Sequence, residues 1–298
     1  MPNLNEIDEV SGVETTGHSW DGIKELNNPL PRWWLWTFYL CILFAIGYVI
    51  AYPSIPGLKT ASKGYLSWSS RAEIRRELSE IDVANATTIS KIKSSSIADI
   101  LADEKLRTFA VAAGGATFKM RCTTCHGSGA QGSVGFPNLN DNSWLWGGKA
   151  EEILQTITHG VRDLSDKGTR LSQMPAFGHD GILKPEDVMA VANYVRQISK
   201  QEADAMLATK GVKIFSDNCA ACHGDKGEGK KDFGAPQLND AIWLYKGDLD
   251  AIRAQVNSPR HGMMPAWGAK LGDVGVKELA ALCIPWEASN RAWPPQPS

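Results

Sequence analysis

The sequence predicts an all-α protein, with a single N-terminal transmembrane helix followed by two tandem copies of one small, loop-rich domain. Three observations carry this reading. A 20-residue stretch near the N-terminus has no charged side chain, a set of motifs recurs in fixed order from Gly114 onward, and neither copy shows the alternation that strands need. With 298 residues, 43% of them hydrophobic, the chain has room for two or three packed units.

The apolar stretch is 33–52, closed by Pro53. A helix of that length spans about 30 Å, the thickness of a bilayer's hydrocarbon core. Trp33, Trp34, Trp36, Phe38 and Tyr39 crowd one end, and Tyr48 and Tyr52 mark the other, as headgroup-level aromatic belts do. A cleaved signal peptide has a short basic leader, whereas 32 mostly acidic and polar residues come first here. A core helix rarely lacks a polar face over such a length. The segment therefore reads as a retained anchor, with Cys41 a small apolar residue within it. Residues 1–32 read as a flexible polar tail on the cytoplasmic side. Residues 53–107 read as a linker along the membrane surface and then a spacer helix with Ile74, Leu78 and Ile81 on one face.

The repeat follows. Gly114-x-x-x-Phe118-x-x-x-Cys122-Thr-Thr-Cys125-His126-Gly127 matches Gly211-x-x-x-Phe215-x-x-x-Cys219-Ala-Ala-Cys222-His223-Gly224. Pro137-Asn-Leu139-Asn140-Asp141 matches Pro236-Gln-Leu238-Asn239-Asp240, and Trp144-Leu145 matches Trp243-Leu244. Met174-Pro175-Ala176-Phe177-Gly178 matches Met264-Pro265-Ala266-Trp267-Gly268. The copies are 108–199 and 205–290. Each has a short helix into the cysteines, a Gly-rich loop after the histidine and further helices, such as 150–159 and 184–198. Lys184-Pro185-Glu186-Asp187 is a start signal for the latter.

Cys-x-x-Cys-His is the attachment pattern for c-type haem. Two residues between the thiols put both sulfurs within reach of the two vinyl groups on one porphyrin edge, and the adjacent histidine then lies beneath the ring as proximal iron ligand. Cys122 and Cys125 would bear one haem with His126 on its iron; Cys219, Cys222 and His223 would hold the second. A thioredoxin-like site would need a βαβ context and leaves both histidines unexplained. A shared four-cysteine zinc site is disfavoured because each pair has its own complete repeat. Met174 and Met264 are candidate sixth ligands, Met264 that of the second haem, each followed by a proline that fixes the backbone. Methionine is also a common core filler; only the duplicated placement sets these two apart. Met263 aligns with Gln173 and is set aside, and Met120, Met189 and Met206 read as packing. His159 and His261 are possible alternative ligands that do not align with each other, and His179 reads as a surface residue. The net charge of −2, without a basic stripe, gives no argument for nucleic acid. The Gly-rich loops lack the Lys-Ser/Thr of a phosphate cradle.

Covalent c-type haem is added outside the bacterial cytoplasmic membrane. The expected location is therefore the bacterial inner membrane, single-pass, with both haem domains in the periplasm. Flanking charge argues weakly the other way, with Lys24 and Arg32 before the span and Lys59, Lys63 and Arg71 after it.

The segment Thr16-Gly17-His18-x-Trp20-Asp21-Gly22-Ile23-x-Glu25-Leu26-Asn27-x-Pro29-Leu30-Pro31-Arg32-Trp33-Trp34, then one anchor and two tandem cytochrome c-like domains, resembles the dihaem subunit (subunit III, CcoP/FixP family) of cbb3-type cytochrome c oxidase. The resemblance covers nearly the whole chain. It implies a subunit that is not catalytic alone and carries two covalently bound haem c groups. Such a subunit takes electrons from a c-type cytochrome donor. It relays them toward a monohaem c subunit and the catalytic haem–copper subunit, which reduces dioxygen to water with proton translocation. It implies Met174 and Met264 as distal ligands, and the carbonyls of Pro137 and Pro236 near the proximal imidazoles. Pro285 ends the final helix of the second copy, where family members continue it, and this bears on packing over the second haem; Cys283 has no motif partner. The competing readings are a dihaem peroxidase, which needs an open sixth site, and the membrane cytochrome c subunit of a periplasmic dehydrogenase, which commonly carries three haem motifs.

Overall fold

The computed structural model describes residues 6–284, which divide into two units at Ala84 and Asn85. The fold is mostly helical. In the first unit, strands β1 (Thr15–Trp20) and β2 (Ile23–Leu26) form an antiparallel hairpin. The expectation of a flexible polar tail over 1–32 is corrected at 15–26. Asp21-Gly22 supplies the turn with φ of +51° and +84°, the left-handed pair that a tight two-residue hairpin demands. Helix α1 (Arg32–Ala51) is the apolar anchor, with no buried residue along it. Its last carbonyls lack helical partners, and the chain doubles back to supply them. The amides of Tyr65 and Leu66 donate to the carbonyls of Ile50 and Ala51 at 2.8 and 2.9 Å.

The spacer is three helices, not one. Helix α2 (Ser70–Ser94) carries Ile74, Leu78 and Ile81 on one face as expected, but leaves them more than half exposed. Ser96 then opens α3 (Ile97–Ala102) with a capping box, its hydroxyl accepting from the Asp99 amide at 3.1 Å. Asp103 opens α4 (Glu104–Arg121) by accepting from the amides of Lys105 and Leu106. Ile92, Ile97 and Ile100 are buried at 0–3% exposure. The end of the supposed spacer is thus part of the second unit's core.

In that unit α4 leads into the single turn α5 (Thr123–His126), and α6 (Ala150–His159) and α7 (Pro185–Ile198) complete the first copy. Pro185 stands in the first turn of α7, as its start signal predicts. The second copy repeats the order with α8 (Ala205–Asn218), α9 (Ala220–His223), α10 (Leu249–Asn257) and α11 (Gly268–Cys283), the last kinked at Gly272. Asp204 caps α8 as Asp103 caps α4.

The sequence copies are not the packing units. One core joins Phe118 of α4 and Ile153 and Ile157 of α6 to Val276, Leu279 and Leu282 of α11, the last helix of the second copy. The other joins Phe215 of α8 and Ile252 and Val256 of α10 to Val188, Val191 and Val195 of α7, the last helix of the first. The two copies, 108–199 and 205–290, therefore exchange final helices. Paired glycines make the crossings close. A Cβ on Gly114 would lie 2.3 Å from the carbonyl oxygen of Glu278 in α11, and one on Gly211 would lie 2.3 Å from that of Ala190 in α7. Lys277 of α11, its side chain 11% exposed, donates to the carbonyls of Ile92 and Lys93 at 3.4 and 2.9 Å and so caps the end of α2. Helix α11 stops at Cys283, with Ile284 extended as a residue before proline prefers. Pro285, Trp286 and the residues beyond lie outside the described part. The final helix of the second copy covers the first haem motif, not the second, contrary to expectation.

Candidate haem sites

Each Cys-x-x-Cys-His motif folds the same way. Helices α4 and α8 end on Cys122 and Cys219, at φ −107° and −113°, and the next four residues form one helical turn. Cys122 is half-buried and Cys219 buried, while Cys125 and Cys222 are exposed. Burial pushes the thiols of Cys122 and Cys219 up to about 11, aided by the neighbouring cysteine in each pair. The Gly-rich loop returns over the motif through Gly132 N–H to His126 O and Gly229 N–H to His223 O, both 2.7 Å.

The imidazoles are oriented as a proximal ligand requires. His126 Nδ1 lies 3.0 Å from the carbonyl oxygen of Pro137, and His223 Nδ1 lies 2.9 Å from that of Pro236. A carbonyl only accepts, so Nδ1 carries the proton and Nε2 keeps its lone pair for iron. Burial lowers both histidine pKa values more than the carbonyls raise them, which favours the neutral ligand form.

On the distal side the copies exchange again. The cavity at the first motif is lined by Phe118, Cys122, Cys125, His126 and Trp144, and across it by Met264, Trp267 and Cys283. The backbone of Met264 is pinned to Val161 by two hydrogen bonds of 2.9 Å, and the Ala266 amide donates to Asp163 Oδ2 at 2.8 Å. Met174 packs on the other core, the one containing Phe215, Cys219 and Ala220, with Trp243 alongside. The first cavity brings together two thiols, an imidazole with a free Nε2 and a thioether, and the second core holds Met174 beside Cys219. That donor set fits a covalently attached haem with His/Met ligation.

Of the remaining residues singled out in the sequence, Met263 is 61% exposed and lines the same cavity as Met264, and Met120 and Met206 are surface residues, not packing ones. His159 Nδ1 lies 2.9 Å from Asp166 Oδ1, and His179 pairs with Asp180 at the surface. Burial, then the nearby Arg162, hold the pKa of His261 down, against a smaller opposing effect of the Met174 backbone. The motifs gave no sign of Val161, Asp163 or Cys283 at the first site. Cys283 is buried beside Cys122, which pushes its thiol up to about 12.

An anchored chain with paired modules of this geometry is a membrane-bound c-type cytochrome, a carrier of electrons. Family models place it further. Residues 12–59 match the N-terminal domain of cytochrome oxidase-cbb3, FixP; residues 111–199 match cytochrome c; and residues 207–282 match cytochrome c oxidase, cbb3-type, subunit III. The chain is 53% identical over 276 residues to a cbb3-type cytochrome c oxidase subunit FixP of Sinorhizobium medicae, covering 93% of this chain and 95% of the relative. It is 49% identical over 266 residues to the subunit CcoP of Cereibacter sphaeroides, covering 89% and 92%. The chain belongs to the FixP/CcoP family of cbb3-type cytochrome c oxidase subunits. Its cytochrome c domains carry covalently bound haem c, and it is a membrane-anchored electron-transfer subunit of the oxidase.

Proposed function

We propose that this subunit holds two haem c groups in exchanged sites. Cys122, Cys125 and His126 take one with Met264 as distal ligand, and Cys219, Cys222 and His223 take the other with Met174. Bound haem supplies a one-electron iron couple, whose potential a thioether opposite histidine raises. The chain's own residues fix its surroundings. Pro137 and Pro236 orient the imidazoles, Phe118 and Phe215 close the cavity floors, and the exchanged helices exclude water. Two filled sixth positions favour transfer over oxygen or peroxide chemistry. Electrons would enter from a c-type cytochrome donor and leave toward the monohaem subunit and the catalytic haem–copper subunit, which reduces dioxygen to water with proton translocation. The haem domains would stand in the periplasm of the bacterial inner membrane, since c-type haem is attached there.

The observation that carries this reading is the presence of Met264 in the cavity of His126. Purification of the tagged chain from detergent-solubilised membranes tests the assignment. Recovery with a haem–copper subunit and a monohaem c subunit is expected; recovery with a dehydrogenase instead would overturn it.

A further inference from the structure

Arg162 follows α6 with φ +55°, a left-handed conformation that non-glycine residues seldom adopt without cause. Its half-buried guanidinium lines the first haem cavity and reaches across the seam between the copies. Nε donates to the carbonyl of Gly262 at 2.6 Å, and Nη1 donates to the carbonyl of Ser172 at 3.0 Å. Gly262 stands two residues before Met264, and Ser172 stands two residues before Met174. One side chain therefore holds both methionine-bearing loops at the same step of each. Continuing the alignment of Ile153 and Ile157 with Ile252 and Val256, the counterpart of Arg162 in the second copy is His261. His261 stands near Arg162 at that equivalent position. Only the arginine, with donors on separate nitrogens of a rigid plane, spans the two loops.

We propose that Arg162 is a positioning residue for both distal ligands, making the geometry of the two haem centres depend on a single guanidinium. This rests on Met264 and Met174 being the distal ligands. Removing the clamp frees both loops, so the sulfur–iron bond should weaken at both centres together. A purely structural arginine would lower thermal stability without changing either centre's electronic signature.

The test uses the full chain in its purified complex, as Arg162→Ala and Arg162→Lys. Lysine keeps the charge but offers a single ammonium in place of the planar fork. The readouts are the far-red sulfur-to-iron charge-transfer band of each ferric haem and the midpoint potential of each. The band should weaken and the potential fall at both centres, more in Arg162→Ala than in Arg162→Lys. A change at one centre alone, at neither, or full rescue by lysine would overturn the proposal. Should Arg162→Ala fail to mature, Arg162→Lys alone decides. A wild-type chain without the band would instead overturn the ligand assignment, and this inference with it.

Discussion

Gly114→Ala tests the exchanged packing at its tightest point. The new methyl carbon would stand 2.3 Å from the carbonyl oxygen of Glu278 and 2.8 Å from its carbonyl carbon. Comfortable contact begins at roughly 3.5 Å. Both opposing atoms are backbone, so no side chain can swing aside, and α4 and α11 must part by roughly 1 Å. Overpacking of this kind costs about 1–3 kcal/mol. Alanine's better helix propensity returns at most about 1 kcal/mol. A net loss of about 1–2 kcal/mol corresponds to roughly 2–8 °C in melting temperature for a unit of this size. Gly115, the next residue on the same helix, is the control, because a Cβ there meets nothing within 4 Å. Gly115→Ala should leave the melting temperature unchanged or raise it. Thermal melts followed by far-ultraviolet circular dichroism on the purified chain make the comparison. If the two variants melt together, α11 does not lie against α4 and the exchanged core is wrong.

The ligand exchange has its own signature. Met264→His should lower the midpoint potential of the haem on Cys122 and Cys125 and leave the other nearly unchanged, and Met174→His should do the reverse; redox titration of singly substituted chains reads both, and a shift at the haem of the same sequence copy would refute the exchange. Glu278 gives a pH dependence. Burial raises its carboxyl to about 7, so the folded chain keeps a proton that the unfolded chain releases above about 4.3. Stability from this group is whole below that value and is lost as pH rises through about 7. Glu278→Gln should therefore match wild type near pH 4 and exceed it near pH 8, by on the order of 1 kcal/mol once partial exposure is discounted. An equal difference in melting temperature at both pH values would refute it.

Much of the site was legible because haem attachment is local chemistry. Cys-x-x-Cys-His and the prolines after it are fixed by short-range geometry, and the histidine Nδ1 atoms lie 3.0 and 2.9 Å from the carbonyls of Pro137 and Pro236; the Met-Pro pairs were legible as a repeat, but not which motif each serves. The exchange was not legible. Two copies of one domain offer nearly equivalent apolar faces, and nothing in the spacing says whether α7 closes over α4 or α8. The hairpin over residues 15–26 left a readable sign in Asp21-Gly22 between Trp20 and Ile23, a tight-turn dipeptide obscured by the polar composition around it. Ser96-x-x-Asp99 likewise marked the break in the spacer. Arg162 left no sign, since its role exists only once segments far apart in the chain are brought together.

The crossing of α11 onto α4 also sets an order of events during synthesis. The cysteines and histidine of the first motif are made early, yet the methionine and the helix that finish its cavity are among the last parts of the described chain to be made. The second motif follows Met174 and α7, so its partners are already there when it emerges. The earlier motif is thus the later one to be completed. A chain cut short before Met264 should keep a competent second centre while leaving the first with its distal side open. Loss of the C-terminal helix would then expose that iron to external ligands such as carbon monoxide at a distance of more than a hundred residues from the break.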